Sequence, residues 1–407
     1  PGGAEALSPS EGAVRRTNQN IMTAFQQAAS LQKAGAFPAA ADLWRRIVTA
    51  APTSAEAWRN FADVLTQLDR FAEAEAAYTE AYVRKPDAVW SLWGLAGFLQ
   101  KTGRWREAEP LYARAIAAQP DNPQLRLAFG HLKLGLGEFA AGWPLYESRK
   151  GLPGQGAEPA PLPNEWQGEP IAGKRLMIWP EQGFGDQIQF ARYITVLQAQ
   201  GAEVMVVCPP ELHALFAELP VTVVAGAESL TIDVPDYWTL ALSAPGRLGV
   251  MLGDLKGPAY LQAPAERRAK WAGHAPAGSV GVAWRGRATH PTDAHRSLPS
   301  REALQPLREA GANLVDLTEP VGDFADLAAI IEQLDLVVSV DTAVAHLAGA
   351  LGKPCWILLP WFRQDWRWFQ DREDSPWYDS VRLFRQGAPG DWDPVVARVA
   401  EAFAARS

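Results

Sequence analysis

Apolar positions follow two regimes along the chain. In the first 150 residues they recur at helical spacing inside a longer period. Pro52, Pro86 and Pro120 stand 34 residues apart; Ala74 and Ala108 share one phase, Tyr78 and Tyr112 a second, Ala81 and Ala115 a third, and Trp44 precedes Tyr78 by the same 34. Small residues let two helices approach closely, an aromatic fills the groove beside them, and proline ends the second helix. Beyond residue 170 the pattern becomes short apolar runs separated by helical stretches. "RLMIWP" (175–180), "EVMVVCP" (203–209) and "VTVVAG" (221–226) predict buried parallel strands, with a helix over 186–200 between the first two. A second set comprises "VGVAWRG" (280–286), "NLVDLT" (313–318), "LVVSVD" (336–341), "CWILLP" (355–360) and "VRLF" (381–384).

A 34-residue period with these residue types is that of the tetratricopeptide repeat, TPR. The expectation is a mobile Gly/Pro/Ser/Glu-rich tail over 1–20, a TPR domain over 21–150, and a linker over 151–170, which holds five prolines and four glycines. The unit from Pro123 keeps Gly130 and Tyr146 in phase, then changes to "GEFAAGWPLYESRK", and reads as a capping repeat. TPR stacks form a groove that receives a peptide or protein segment; the other reading is a stack that only buttresses the C-terminal half. Residues 262–278 separate the two strand sets as a hinge. Two Rossmann-like lobes, 171–265 and 266–407, facing each other across a cleft complete an α + α/β architecture.

Composition narrows the function classes. With 407 residues, 48% hydrophobic and 21% charged, the chain can bury large cores. Its net charge is −8 and no long Lys/Arg run occurs, which excludes a nucleic-acid track and argues against membrane binding. No apolar stretch reaches the roughly 20 residues of a membrane helix. The only two cysteines, Cys208 and Cys355, lie in apolar runs, so the expected setting is the reducing cytoplasm.

In open α/β sheets, ligands bind beyond the carboxyl ends of the strands. Strand 175–180 runs into "EQGFGDQIQFARY", where Gly183 and Gly185 would permit a tight turn that leaves Asp186 at the mouth of a helix. Asp186 there reads equally as a general base or as an N-cap. In the other lobe, Asp341 and Thr342 would cap the next helix, Ala343 would let a ligand approach its backbone, and the helix start would favour a phosphate. His346, one turn deeper, reads either as a donor to phosphate or ribose or as a core residue. Seven aromatics between 361 and 378 form either a stacking wall or an interlobe packing element. The Asp391-x-Asp393 pair reads as a helix start, with no metal site expected.

These segments resemble known proteins. "SVDTAVAHLAGALGKP" is similar to the donor-binding motif of heptosyltransferase-related glycosyltransferases, and "GFGDQIQF" resembles their first-lobe Gly-Asp motif. "VGVAWRGRATHPTDAHRSLP" and "DWRWFQDREDSPWY" resemble bacterial TPR–glycosyltransferase fusions, flagellin glycosyltransferases among them. The resemblance implies a GT-B fold, a nucleotide-sugar donor used without metal or other cofactor, and Asp186 as the base. It also implies donor contacts from Asp341, Thr342, Ala343 and His346; Arg285, Arg287 and Arg296 are candidates to neutralise the leaving phosphate, ordinary surface exposure being the other reading of each, and Arg296 lies in "HRSLP", which matches the family loop. Arg287 stands where related fusions tend to carry Asn. The resulting expectation is transfer of a sugar to a Ser or Thr hydroxyl of a protein held by the TPR, with flagellin as the family-implied acceptor and a CMP-nonulosonic acid as the family-implied donor. The rival readings are a lipopolysaccharide or glycan transferase with a scaffolding TPR, and a non-catalytic TPR adaptor.

Overall fold

The 34-residue period is carried by turns as well as by side chains. The computed structural model describes residues 9–226, 233–255, 257–289, 292–319 and 321–406. It divides into two units, one ending at Leu125 and one starting at Arg126. The first is helical: α1 (Pro9–Lys33), α2 (Phe37–Ala50), α3 (Ala55–Gln67), α4 (Phe71–Arg84), α5 (Val89–Lys101) and α6 (Trp105–Ala118). Helices α2, α4 and α6 each stop two residues before a periodic proline. Their C-caps Ala51, Lys85 and Gln119 lie at φ −130° to −138° and ψ 66° to 73°, because a following proline ring disfavours the α region. The phased residues Trp44, Ala74, Tyr78, Ala81, Ala108, Tyr112 and Ala115 are all buried. Within the helix pairs, Gly35, Asp69, Gly103 and Gly137 adopt left-handed φ of 55° to 81° at 34-residue intervals. Two residues after each, Phe37, Phe71, Trp105 and Phe139 open the next helix.

Residues 9–20, expected as tail, belong to α1, while 1–8 lie outside the described residues. The tail reading weighed the Gly, Pro and Ser of the first dozen positions; from Val14 to Lys33 neither Gly nor Pro interrupts the helix.

The second unit takes in the fourth helix pair, so the expected domain limit at 150 moves upstream. Helices α7 (Pro123–Gly135) and α8 (Phe139–Tyr146) keep the repeat phase. From Arg126 on, however, the chain groups with the α/β region. Trp143 Nε1 donates to the Val250 carbonyl at 2.9 Å, and Phe139 stacks on Phe369 and Trp377 at 6.5 and 6.1 Å between centroids.

The first lobe is a parallel sheet of order β3-β2-β1-β4, built from β1 (Arg175–Trp179), β2 (Glu203–Cys208), β3 (Thr222–Ala225) and β4 (Tyr237–Leu240). Helices α9 (Phe184–Phe190), α10 (Arg192–Ala199), α11 (Pro210–Phe216) and the single turn α12 (Ala244–Arg247) accompany it. The edge strand β4 is absent from the sequence expectation. The 151–170 segment wraps rather than links: Ala157 and Ala160 pack with Met177, Val207 and Trp238, and Trp166 N donates to the Trp238 carbonyl at 2.7 Å.

The second lobe has order β6-β5-β7-β8-β10-β9, from β5 (Ser279–Ala283), β6 (Asn313–Asp316), β7 (Leu336–Val340), β8 (Cys355–Leu359), β9 (Asp374–Ser375) and β10 (Tyr378–Arg385). Among the described residues of this lobe, only β9 and β10 pair antiparallel. Every residue of β5, β7 and β8 is buried, as strands covered on both faces must be. Its helices are α13 (Ala265–Trp271), α14 (Asp293–Arg296), α15 (Gln305–Glu309), α16 (Phe324–Ile331), α17 (Ala343–Ala350) and α18 (Asp393–Ala404). The expected hinge over 262–278 contains α13, which is pinned to this lobe: Arg267, Lys270 and Trp271 all donate to the Asp326 carboxylate. The whole is a set of TPR helix pairs followed by an α/β region with two parallel sheets, a GT-B-like arrangement. No helix among the described residues is long and apolar enough to cross a membrane.

Candidate active site

The carboxyl ends of β1, β5, β6, β7 and β8 face one cleft of about 940 Å³. All nine residues singled out from the sequence line it: Gly183, Gly185 and Asp186 from one lobe, and Arg285, Arg296, Asp341, Thr342, Ala343 and His346 from the other.

The turn after β1 is made differently from the sequence expectation. Gln182, not a glycine, takes the left-handed φ of 55°. Gly183 is extended at φ −86° and ψ 170° and serves as N-cap of α9. Gly185 lies inside α9, and its lack of a side chain serves packing between the lobes. A Cβ there would meet His346 Cδ2 at 2.8 Å and Ala343 Cα at 3.4 Å.

Asp186 is not itself the N-cap of α9 but lies in its first turn, at the cleft. Its Oδ2 accepts the Gly183 N–H at 3.0 Å as part of the helix start, while Oδ1 faces the cleft and accepts from Arg367 Nη2 at 2.5 Å. Burial pushes its carboxyl above the ordinary aspartate range, against the opposing pull of Arg367. One residue before Gln182, Glu181 anchors the loop from below. It takes a bidentate pair from Arg149 at 2.9 Å and 2.9 Å, with neither side chain exposed.

Across the cleft, Thr342 is the N-cap of α17 by backbone conformation, yet its hydroxyl lies 3.2 Å from Ser339 Oγ and caps nothing. The expected side-chain cap from Asp341 and Thr342 is therefore not formed, which leaves the first N–H groups of α17 without a side-chain cap at the cleft. Asp341 is raised to about 6 by burial and by the neighbouring Asp365, with Arg296 acting in the opposite sense. His346 is buried; its Nδ1 lies 2.9 Å from the Tyr378 hydroxyl and its ring stacks on Trp368 at 5.2 Å. Burial, and then the Arg367 charge, lower it to about 3, so it is a neutral imidazole at physiological pH.

The arginines divide. Arg296 is mostly buried and paired with Asp293 at 3.2 Å, close against Gly286, where a Cβ would meet its Nη2 at 2.6 Å. Arg285 is at the rim, half-exposed and paired with the exposed Glu319 at 2.8 Å. Arg287 reaches the other lobe, its guanidinium 5.8 Å from the Phe184 ring.

The sequence reading missed Asp365 and Arg367 as individuals. The 361–378 block is an interlobe packing element: Trp366 meets Trp143 and Tyr146 at 5.9 and 6.1 Å, and Trp377 meets Phe190 at 5.9 Å. The same block sends Asp365 and Arg367 into the cleft. The alternation of charges with tryptophans in "DWRW" was the available signal.

Tetratricopeptide-repeat family models match residues 25–89 and 69–128, and the glycosyltransferase family 9 (heptosyltransferase) model matches residues 301–358. That last span includes Asp341, Thr342, Ala343 and His346. Protein FlbA of Caulobacter vibrioides is 27% identical over 334 residues, which is 69% of this chain and 55% of that protein. The chain thus spans about half the length of this curated relative. Among solved structures it is similar to YrrB, a TPR protein with an unusual peptide-binding site, at 15% identity over 35% of this chain and 74% of that one, with a TM-score of 0.30. It is also similar to MamA, at 17% identity over 34% and 80%, with a TM-score of 0.30. The chain thus carries matches to tetratricopeptide-repeat models in its first helix pairs and a match to the heptosyltransferase family model within its second lobe.

Proposed function

We propose that the protein moves a sugar from a nucleotide sugar to a hydroxyl group of a protein. The observation that carries this reading is the meeting, across one cleft, of a carboxylate on the first lobe with an uncapped helix start and a neutral imidazole on the second. Asp186 takes the proton of the incoming hydroxyl as its oxygen attacks the anomeric carbon. The bond from that carbon to the phosphate breaks, and the departing negative charge falls on the N–H groups at the start of α17, on His346 and on Arg296. Lobes that contact one another through Phe184 and Phe324, 5.0 Å between centroids, keep water from the inner end.

The donor set supports chemistry without a metal. Four of the acidic groups that line the cleft are paired with guanidinium groups: Asp186 and Asp365 with Arg367, Asp323 with Arg267, and Glu319 with Arg285. Retention of transfer in excess chelator is the corresponding test. The TPR helix pairs hold the acceptor protein. The likeness of "VGVAWRGRATHPTDAHRSLP" and "DWRWFQDREDSPWY" to flagellin glycosyltransferases supports flagellin Ser or Thr as acceptor and a nonulosonic acid on CMP as donor. The experiment is transfer of labelled sugar to purified flagellin by the parent and by Asp186→Asn. Transfer by the variant should fall by roughly 10²–10⁴ with nucleotide affinity nearly unchanged. Label appearing in glycolipid rather than polypeptide, or a variant within a few fold of the parent, refutes the assignment.

A further inference from the structure

Arg367 is the most confined charge in the cleft. It sits in the single 3₁₀ turn Trp366–Trp368 with its side chain 6% exposed. One guanidinium nitrogen, Nη2, donates to Asp186; the other, Nη1, donates to both oxygens of Asp365 at 3.1 and 3.0 Å. Asp365 is itself fixed, since its Oδ1 also accepts the Arg367 backbone N–H at 2.9 Å. The guanidinium carbon lies 4.7 Å from the Trp366 ring and 5.6 Å from the Phe190 ring. Trp366 is held in turn by Trp143, Tyr146 and Trp377. The planar fork therefore has one available orientation, and that orientation aims it at Asp186.

The arrangement addresses a conflict in the site. A general base must be ionised, and the surroundings of Asp186 favour its neutral form. An opposite charge at hydrogen-bond distance reverses part of that bias and fixes the carboxylate plane. With Oδ2 taken by Gly183 and Oδ1 by Arg367, the carboxylate cannot rotate, so its remaining lone pairs keep a fixed direction.

We propose that Arg367 is a positioning residue for Asp186, holding its carboxylate ionised and oriented, with Asp365 as the anchor that sets the guanidinium. This rests on the reading of Asp186 as the base. The titratable and charged groups facing the pair are Asp365 on the same loop, Asp341 and His346 at α17, Tyr378 on β10, Tyr146 on α8 and His131 on α7. Among them Asp365 pushes the Asp186 carboxyl up while Arg367 holds it down.

The experiment is the pH profile of kcat/KM for transfer by the full chain, comparing the parent with Arg367→Gln, Arg367→Lys, Asp365→Asn and Asp186→Asn. In Arg367→Gln the acid limb should move to higher pH by about 1–3 pH units, as expected on loss of an opposite charge at this range. Activity lost at pH 7 should return at pH 9. Arg367→Lys should restore most of the limb position but not the plateau, because an ammonium lacks the fork geometry. Asp365→Asn should move the limb the opposite way, to lower pH, a result that a role in folding alone does not produce. An unmoved acid limb in both Arg367→Gln and Asp365→Asn overturns the proposal. So does a loss equal at all pH values with no gain from lysine. Should Arg367→Gln fail to fold, the direction of the Asp365→Asn limb decides. Asp186→Asn with parental activity sinks the base assignment instead, so the two failures are distinguishable.

Discussion

Replacing Arg149 by methionine should destabilise the second unit more than any surface change could. The guanidinium gives two hydrogen bonds of 2.9 Å to Glu181, one of 2.9 Å to Glu147 and one of 2.8 Å to Ser243, and lies 4.4 Å from the Tyr146 ring. Neither it nor Glu181 is exposed. In Arg149→Met the Glu181 carboxylate keeps the Leu242 N–H at 2.5 Å and loses its counter-charge. Removing one member of a buried pair costs about 3–5 kcal/mol, because the other is left uncompensated. The double variant Arg149→Met/Glu181→Leu removes both charges and should recover most of that loss. The pH dependence has a definite sign. Burial already raises the Glu181 carboxyl even with Arg149 present, and loss of the cation raises it further. The penalty therefore applies where the unfolded chain ionises this group, above about pH 4.3, and shrinks as pH falls toward 4. Urea unfolding monitored by tryptophan fluorescence at pH 7 and pH 4.5 measures it. A loss under about 1 kcal/mol at pH 7, or a double variant no more stable than the single, refutes the reasoning.

Other outcomes rest on the packing around the cleft. Gly185→Ala should cost about 1–3 kcal/mol by overpacking and lower transfer, because its Cβ meets His346 Cδ2 at 2.8 Å; parental melting and activity would show that α9 and α17 do not touch at this point. His346→Ala should weaken nucleotide binding, whereas the histidine of the parent, lowered to about 3, should contribute no titration to that binding between pH 5 and 8 in calorimetry. Tyr378→Phe should reproduce part of the His346→Ala loss by freeing Nδ1. A chain beginning at residue 122 should fold and bind nucleotide yet lose transfer to its protein acceptor. One beginning at residue 165 should fail to fold by circular dichroism, since it lacks the buried Phe139, Trp143, Tyr146 and Arg149.

Much of the fold was legible in the sequence where one residue type reports one local constraint. The periodic prolines marked helix ends because proline excludes the α conformation from its neighbour. The long apolar runs marked central strands because both of their faces are covered. The four-residue strand "YWTL" did not stand out from its flanks, and it is pairing with β1 on one side and with the backbone of residues 164–166 on the other that makes it a strand. Pairing across the lobes left no such mark. Arg367 is 181 residues from Asp186, and in a segment with many charges it looked like an ordinary surface cation. Gly185 was misread for a related reason: a glycine reports that space is lacking, but the sequence does not say which distant chain takes the space.

The left-handed positions at Gly35, Asp69, Gly103 and Gly137 carry a different kind of consequence. The fourth member of that series is already bound into the second unit, where a Cβ on Gly137 would meet Leu252 Cδ2 at 2.8 Å. The last helix pair of the series thus belongs to the second unit, while the earlier pairs share with it only the interval. A 34-residue module inserted or deleted upstream of residue 123 leaves the interval between these turns intact. The array can therefore lengthen or shorten by recombination at a repeat boundary while every remaining helix pair keeps the phase of its neighbours.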